Sequence, residues 1–156
     1  RLLTFTKAQV GIESYISYLD VTAPNRRAAR IETTMNVFEV AADPKRHVLY
    51  ANFRGVIAGD DMAVSAAQNE RLISNTKPGF TVVTDLAELE RMELNCVPHV
   101  AKLMDLFMAA GVARIVRVIP DANKDIGFNL LSITHYRGQV PIVTFETRAE
   151  ADAALG

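Results

Sequence analysis

The feature that most constrains the fold is a regular exchange of strand-like and helix-like segments after residue 35. Short runs rich in β-branched residues alternate with longer segments of helix-forming residues, and glycine, proline or aspartate separates them. Parallel strands need a long crossover, usually a helix, so this pattern predicts an α/β domain with a mostly parallel sheet. The chain has 156 residues, of which 49% are hydrophobic and 22% charged, and this suits one globular domain.

The predicted elements follow the order ββαβαβαβα. The strands are predicted over 37–42, 47–54, 80–85, 113–119 and 140–146. The helices are predicted over 62–74, 96–110, 123–137 and 148–155, the last with Thr147 and Glu150 at the spacing of a capping box. The first two strands form a hairpin, so the expected architecture is a mixed, mostly parallel five-stranded sheet with an antiparallel edge strand and helices packed against it.

Residues 1–34 differ from the rest of the chain in charge and in pattern. They contain five basic and three acidic residues, whereas residues 35–156 contain 12 basic and 15 acidic ones. Residues 6–18 could form a short helix, but Pro24 interrupts any longer pattern. We therefore expect a peripheral or flexible extension over 1–34 and one domain over 35–156. Two alternatives are a basic tail that binds anionic surfaces and an extension upstream of a natural start at Met35.

Composition and missing motifs exclude several classes of function. The formal net charge of −1 leaves no excess of basic residues for a phosphate backbone, so nucleic acid is not an expected partner. The single cysteine, Cys96, cannot form an intrachain disulfide, and no run of apolar residues is long enough to span a membrane. Both observations favour the cytoplasm. Signatures of nucleotide-binding loops, hydrolases and zinc sites are absent, so we expect no cofactor and no metal.

Several short segments of the chain resemble a known family in their order and spacing. They are Phe38-Glu39-Val40, the strand from Tyr50 to Gly55, Thr84-Asp85-Leu86-Ala87-Glu88-Leu89, Val118-Ile119-Pro120 and Phe145-Glu146-Thr147-Arg148-Ala149-Glu150-Ala151. Together they resemble STAS domains, and more closely the SpoIIAA-like branch of small bacterial proteins, over about residues 36–156. The resemblance implies a single STAS-like domain that acts as a regulatory module and binds a protein partner.

The resemblance also identifies a position at which this chain departs from the family. In the anti-sigma-factor antagonists of this branch, a strand-ending Asp-Leu-Ser precedes Met-Asp-Ser-Ser-Gly, and phosphorylation of the first serine of that pair prevents partner binding. Asp85-Leu86-Ala87 matches the strand end, and Met92-Glu93-Leu94-Asn95-Cys96 occupies the second motif. Leu94 stands at the phosphoacceptor position and has no hydroxyl. A phosphorylation switch at this residue is therefore not expected.

The same window contains the residues that could support chemistry. Asn95 could cap the following helix, and the helix dipole could lower the pKa of the Cys96 thiol. His99, three residues later, could lie on the same face as a general base. No third residue that would orient this pair is evident, and an isolated cysteine is usually a packing residue, so we expect a structural role for Cys96.

The helix predicted over 96–110 has a wide apolar face, which includes Val97, Val100, Met104 and Met108. This face is wider than contact with one side of a sheet requires, so part of it should meet another helix, a partner or an apolar ligand. Dense packing against the next predicted helix through Ile126, Leu130 and Ile133 is the simplest alternative.

Three functions from different classes are consistent with these patterns. The first is a regulatory protein-interaction module that binds a protein partner or forms a homodimer. Its expected binding surface comprises Leu94, Asn95, Cys96, Val97, His99, Val100, Met104 and Met108. The second is a carrier or sensor of a small apolar molecule held between the helices over 96–110 and 123–137. The third is a thiol enzyme that uses Cys96 and His99. We expect a protein without enzymatic activity.

Overall fold

The computed structural model describes residues 37–121 and 125–156, with side-chain surroundings for 38–121 and 131–156. The strands are β1 (Val37–Asp43), β2 (Val48–Ile57), β3 (Thr81–Met92), β4 (Arg114–Val118) and β5 (Ile142–Phe145). The helices are α1 (Gly59–Ser74), α2 (Val97–Ala109), α3 (Asp125–Tyr136) and α4 (Arg148–Ala154), and a 3₁₀ turn over Leu94–Cys96 precedes α2. The predictions for residues 1–34, including the helix over 6–18, lie outside the described residues and stay predictions.

The five strands form one sheet in the order β1-β2-β3-β4-β5. β1 pairs antiparallel with β2 through a hairpin, and the remaining neighbours pair in parallel. This confirms the predicted element order and the mixed sheet with an antiparallel edge. The capping box that starts α4 is also confirmed, because the Thr147 hydroxyl accepts from the backbone N–H of Glu150 and the Glu150 carboxylate accepts from that of Thr147.

Strand β3 is twice as long as the sequence pattern indicated. The prediction ended at Asp85, whereas the strand continues to Met92 alongside the second half of β2. The pairing shifts register after Asn52 and again after Gly55, whose φ of 66° is in the left-handed region that glycine tolerates. These irregularities disturb the simple alternation of buried and exposed residues in β3, and this explains why the pattern was read as ending early.

The two faces of the sheet are covered unequally. Helices α1, α2 and α3 share one face and enclose the larger apolar core, with Phe53, Phe80, Phe107 and Leu86 among its buried residues. On the other face, α4 is the one described helix that packs over the parallel part of the sheet, through Ala151 against Val83, Val116 and Val118. None of the helices described here is long and apolar enough to cross a membrane.

Candidate functional site

The residues singled out in the sequence meet where two strands end and two helices begin. β2 ends at Ile57 and α1 starts at Gly59, while β3 ends at Met92 and the 3₁₀ turn leads into α2. Clefts beyond the carboxyl ends of parallel strands are a common position for binding sites in α/β proteins. We call residues 92–97, with the first turn of α1, the junction.

The backbone of Ile57 holds the junction together. Its carbonyl oxygen accepts from the backbone N–H of Glu93 at 3.0 Å and from the thiol of Cys96 at 3.3 Å. The Cys96 N–H in turn donates to the Glu93 carbonyl at 3.0 Å. The first two hydrogen bonds join the end of β2 to the turn that starts α2, and the third closes the turn itself. The junction is therefore fixed by bonds between segments distant in sequence, and its conformation does not depend on a flexible loop.

Asn95 does not cap α2, contrary to the expectation from the sequence. No side chain caps α2, which begins with Val97-Pro98, and proline suits the first turn because it lacks a donor there. Instead the Asn95 side-chain oxygen accepts from the backbone N–H of Gly59 at 3.0 Å, and so satisfies a free donor at the start of α1. A Cβ on Gly59 would lie 2.6 Å from Cγ of Asn95, so this approach requires glycine.

Cys96 has the properties of a packing residue. It is completely buried, and its thiol donates to the Ile57 carbonyl and not to His99. Burial raises the pKa of the thiol; the backbone hydrogen bond with Glu93 opposes this, and the charges of Glu93 and Asp61 add to the rise. The expectation of a lowered pKa for this thiol is wrong, because desolvation by burial is the largest influence and raises it. A protonated, enclosed thiol is a poor nucleophile.

The junction exposes two aliphatic side chains. Leu94, which the sequence resemblance aligns with the phosphoacceptor, is 89% exposed, and Val97 is 41% exposed. Asn95 is also at the surface, and His99 is half-buried. A leucine this exposed on a turn held by three hydrogen bonds contributes nothing to the apolar core. It is available for contact with another molecule.

The other predicted site residues lie on the inner side of α2. Val100 and Met104 are buried in the larger core together with Leu103 and Phe107, and Met108 is half-buried against the same core. The wide apolar face is needed because α2 contacts α1 on one side and α3 on the other while it covers the sheet. In this structure a partner can reach Leu94 and Val97 but not Cys96, Val100 or Met104. Binding by any of these residues stays a prediction.

A small, partly open pocket lies between α2 and the end of α3. It has a volume of about 20 Å³ and is lined by Val100, Met104 and Phe107 from α2, Tyr136 from α3, and strand residues. This is far below the 300 Å³ or more that small-molecule sites usually have, but much of the α3 wall lies outside the residues whose side chains are described, so the apolar ligand of the second hypothesis stays a prediction. Of the residues proposed to pack here, Ile133 is 65% exposed and does not fill the space, while the side chains of Ile126 and Leu130 lie outside the described residues.

The surface of the junction is acidic. Asp60 and Asp61 occupy the exposed first turn of α1, where they interact favourably with the helix dipole, and Glu93 is exposed beside Leu94. The negative charges of Asp61 and Glu93 both act on the Cys96 thiol, which places them close to the turn. The exposed aliphatic residues are therefore accompanied by at least three carboxylates.

A second concavity lies at the opposite end of the sheet and was not predicted. It has a volume of about 320 Å³ and lies between the β1–β2 turn and the end of α1. His47 lines it with a φ of 58°, and its Nε2 lies 2.9 Å from the carbonyl oxygen of Lys77. Asp43 in the same turn accepts from the backbone of Lys45 and Arg46. These hydrogen bonds stabilise the turn. No pattern along the chain indicated the concavity, because its walls come from separate elements.

Sequence reasoning also missed two arginines with clear structural roles. Arg117 is 2% exposed in β4 and donates to the hydroxyl of Ser132 in α3. Arg148 of α4 donates to Asp85 at 2.9 Å and lies 4.4 Å from the centre of the Tyr50 ring. The sequence did indicate that Arg117 is buried. Ile115 and Ile119, two residues before and after it, are both buried on the helix-covered face, and alternate residues of a strand share a face. Hydrogen bonds to Asp85 and Asp152 raise the pKa of Arg148 despite its partial burial.

Comparison with known proteins places the fold but assigns no activity. No family model and no curated protein matches the sequence. Among solved structures, an uncharacterised DUF3478-family protein with a SpoIIAA-like fold from Shewanella loihica PV-4 matches with a TM-score of 0.58 at 14% identity, over 77% of this chain and 93% of that one. The unphosphorylated anti-sigma factor antagonist SpoIIAA matches with a TM-score of 0.48 at 14% identity, over 76% of this chain and 96% of its own. The described residues therefore have the SpoIIAA-like fold of STAS domains.

Proposed function

We propose that this protein is a regulatory interaction module without enzymatic activity, which binds a protein partner through the junction. The observation that supports this most directly is the 89% exposure of Leu94 on a turn whose conformation is fixed by the Ile57 carbonyl. A rigid turn loses little conformational entropy on binding, and an exposed leucine gains free energy when a partner covers it.

The charges at the junction indicate the chemistry of the partner. Leu94 and Val97 need an apolar pocket, and Asp60, Asp61 and Glu93 favour basic side chains around it. A partner with an apolar socket bordered by lysine or arginine would satisfy both requirements. Because added salt screens the attraction between exposed opposite charges, association with the partner should become slower as the salt concentration rises.

Control of this surface by phosphorylation is not part of the proposal. Leu94 occupies the position at which antagonists of the resembled family are modified, and Met92 to Val97 contains no hydroxyl side chain. The module would therefore bind its partner without a phosphate switch at this turn. A regulatory phosphosite at Ser65, Ser74 or Thr76 of α1 and its following turn would show that control acts elsewhere.

The interpretation as a module without enzymatic activity is supported by the state of Cys96. Its thiol is buried and its pKa is raised by burial. A buried, protonated thiol argues against the thiol enzyme and suits a packing residue.

The test is to isolate the partner from the source organism by cross-linking and to measure its affinity for matched variants. Leu94→Ala removes the exposed side chain of the junction, and Ile133→Ala removes a comparable aliphatic side chain, 65% exposed, from α3. We expect Leu94→Ala to weaken binding more than tenfold, about 1.4 kcal/mol, and Ile133→Ala to leave it unchanged. Sedimentation of each variant alone shows whether the partner is a second copy of the chain.

Two other outcomes would contradict the proposed binding surface at the junction. If Ile133→Ala weakens binding and Leu94→Ala does not, the surface lies on α3 and the junction is not the site. If neither changes affinity while Cys96→Ser abolishes a measurable turnover, the proposal of an interaction module without enzymatic activity is wrong.

A further inference from the structure

The side of α4 that faces the sheet differs in chemistry from the inner side of α2. Residues 148, 151, 152 and 155 have the spacing of one helical face. Ala151 is completely buried and Leu155 is half-buried against the valines of the sheet, whereas Arg148 and Asp152 are charged. The inner side of α2 consists of apolar, buried residues, namely Val100, Leu103, Met104 and Phe107. The attachment of α4 therefore depends on charge far more than that of α2.

The charged residues of α4 are tied to two strands and a turn. Arg148 donates to Asp85 of β3 at 2.9 Å and to Asp152 at 3.1 Å. Its guanidinium also lies 4.4 Å from the centre of the Tyr50 ring in β2. Arg46 of the β1–β2 turn donates to the backbone carbonyl of Asp152 at 3.1 Å. The four charged side chains of this network are between 16% and 38% exposed, so dissolved ions can reach and weaken it.

Two features of α4 oppose its attachment to the sheet. The Oδ1 atom of Asp152 is buried and has no hydrogen-bond partner among the described residues, and Nη1 of Arg46 lies 3.8 Å from it. A buried acceptor without a donor costs free energy, which release of the helix into water recovers. In addition, α4 has seven residues, and helices this short are not stable alone in water. The network and the contact of Ala151 must offset both costs.

We propose that α4 is a salt-sensitive strap, which can leave the sheet while the larger core stays folded. Local opening of this kind is typical of elements with few apolar contacts. The capping box of Thr147 and Glu150 involves only residues of this segment, so it does not hold α4 to the sheet. Release uncovers an apolar strip on β2, β3 and β4, formed by Val48, Val83, Val116 and Val118.

The strap therefore controls access to a second apolar surface. This surface lies on the face of the sheet opposite to α1, α2 and α3, and all four of its valines are buried while α4 is attached. The inference is independent of the proposed partner surface, because the residues of the junction contribute nothing to the network of α4.

Thiol labelling measures release of the strap directly. Val116→Cys places a thiol beneath α4, while the native Cys96, which is buried in the larger core, reports on opening of that core. We expect the introduced thiol to react with a disulfide reagent about tenfold faster than Cys96, because α4 opens more often than the core does. Sodium chloride at about 1 M should increase the rate at position 116 and leave the rate of Cys96 unchanged.

Matched variants separate the ionic ties from a general loss of stability. Arg148→Met keeps an unbranched apolar side chain and removes the charge, so it should raise the labelling rate at position 116 about tenfold and remove its increase with salt. Arg54→Met removes an exposed ion pair with Glu88 from the same face of the sheet and should leave both rates unchanged.

The labelling rates decide the proposal in each case. Equal rates at position 116 and Cys96 would overturn it, because α4 would then leave the sheet only when the whole domain unfolds. A rate at position 116 that salt or Arg148→Met leaves unchanged would also overturn it, as would equal effects of Arg148→Met and Arg54→Met. If Val116→Cys does not fold, hydrogen exchange of the wild-type amides of residues 152–154, compared with those of residues 82–84, gives the same comparison.

Discussion

The inner side of α2 and the junction at its start are adjacent in sequence, but the first is buried in the core and the second exposes apolar side chains. Met104, on the side of α2 that faces the larger core, is buried. Leu94, on the turn before α2, is almost fully exposed. The inner side is held by apolar packing and the junction by hydrogen bonds to Ile57. The comparison shows that apolar residues alone do not identify a binding surface, because they occur both in the buried core and at exposed positions that a partner could cover.

The largest effect is expected on the inner side of α2. Met104→Ala should lower the free energy of unfolding by about 2–5 kcal/mol, because it leaves a cavity in a closely packed core. Met108→Ala, at a half-buried position on the same helix, is the matched control and should cost clearly less. Urea denaturation monitored by circular dichroism measures both. Equal costs for the two variants would mean that Met104 is not the deeper residue.

The second effect concerns the protonation of Cys96. Burial raises the pKa of the folded thiol, so the unfolded chain ionises first, near the ordinary value of 9.0, and is stabilised by releasing its proton. The resulting contribution to stability is fully present below that pH and is lost as pH rises through the folded pKa. The free energy of unfolding of the wild type should therefore fall towards that of Cys96→Ala as the pH rises. The change should be measurable from about pH 8 to pH 10, about one unit on each side of the unfolded thiol's pKa of 9.0.

Paired urea titrations of the two proteins in a reducing buffer measure this difference and cancel the titration of all other groups. A constant gap between wild type and Cys96→Ala across this range would contradict the raised pKa. A gap that widens with pH would show that the thiolate is stabilised in the folded protein, and this would restore the thiol-enzyme hypothesis.

A third, intermediate effect is expected at the hydrogen bond between Asn95 and Gly59. Asn95→Ala removes the acceptor of the N–H of Gly59, a buried residue at the start of α1, and should lower the free energy of unfolding by about 1 kcal/mol. Asn75→Ala is a suitable control, because this exposed residue ends α1 with its backbone and not with its side chain. Thermal unfolding of both variants checks the difference. An equal melting temperature for the two would mean that water replaces Asn95 at no cost.

Local patterns predicted the fold well and the contacts of the site poorly. Turn residues, β-branched runs and the Thr147–Glu150 capping box are signals between near neighbours, and they gave the element order and the sheet correctly. The bond from Asn95 to Gly59 spans 36 residues, and the thiol of Cys96 reaches Ile57 across 39. Such pairs depend on how strands align in three dimensions, so spacing along the chain could not reveal that Asn95 serves α1 instead of α2.

The sequence could not show that Met104 is buried, for a related reason. A helix that packs against a sheet and two neighbouring helices needs a wide apolar face, and the sequence shows the width without showing what covers it. Leu94 illustrates the converse, because one leucine in a polar turn has no periodicity that could place it inside or outside. Its departure from the resembled family was visible in the sequence, but its exposure was not.

The smallest effect on stability is expected at Leu94 itself, and it is the sharpest test of the comparison. Leu94→Ala should change the free energy of unfolding by no more than about 0.5 kcal/mol, because an 89% exposed side chain makes few contacts that folding could lose. The hydrogen bonds of Glu93 and Cys96 to the Ile57 carbonyl involve no atom of Leu94, so the turn should keep its conformation. Urea denaturation gives the stability, and amide chemical shifts of residues 92–97 report on the turn. If Leu94→Ala destabilises the domain as strongly as Met104→Ala, Leu94 is part of the core in solution and the junction is not an open surface. If the domain is unaffected, any loss of partner binding by this variant measures the surface alone.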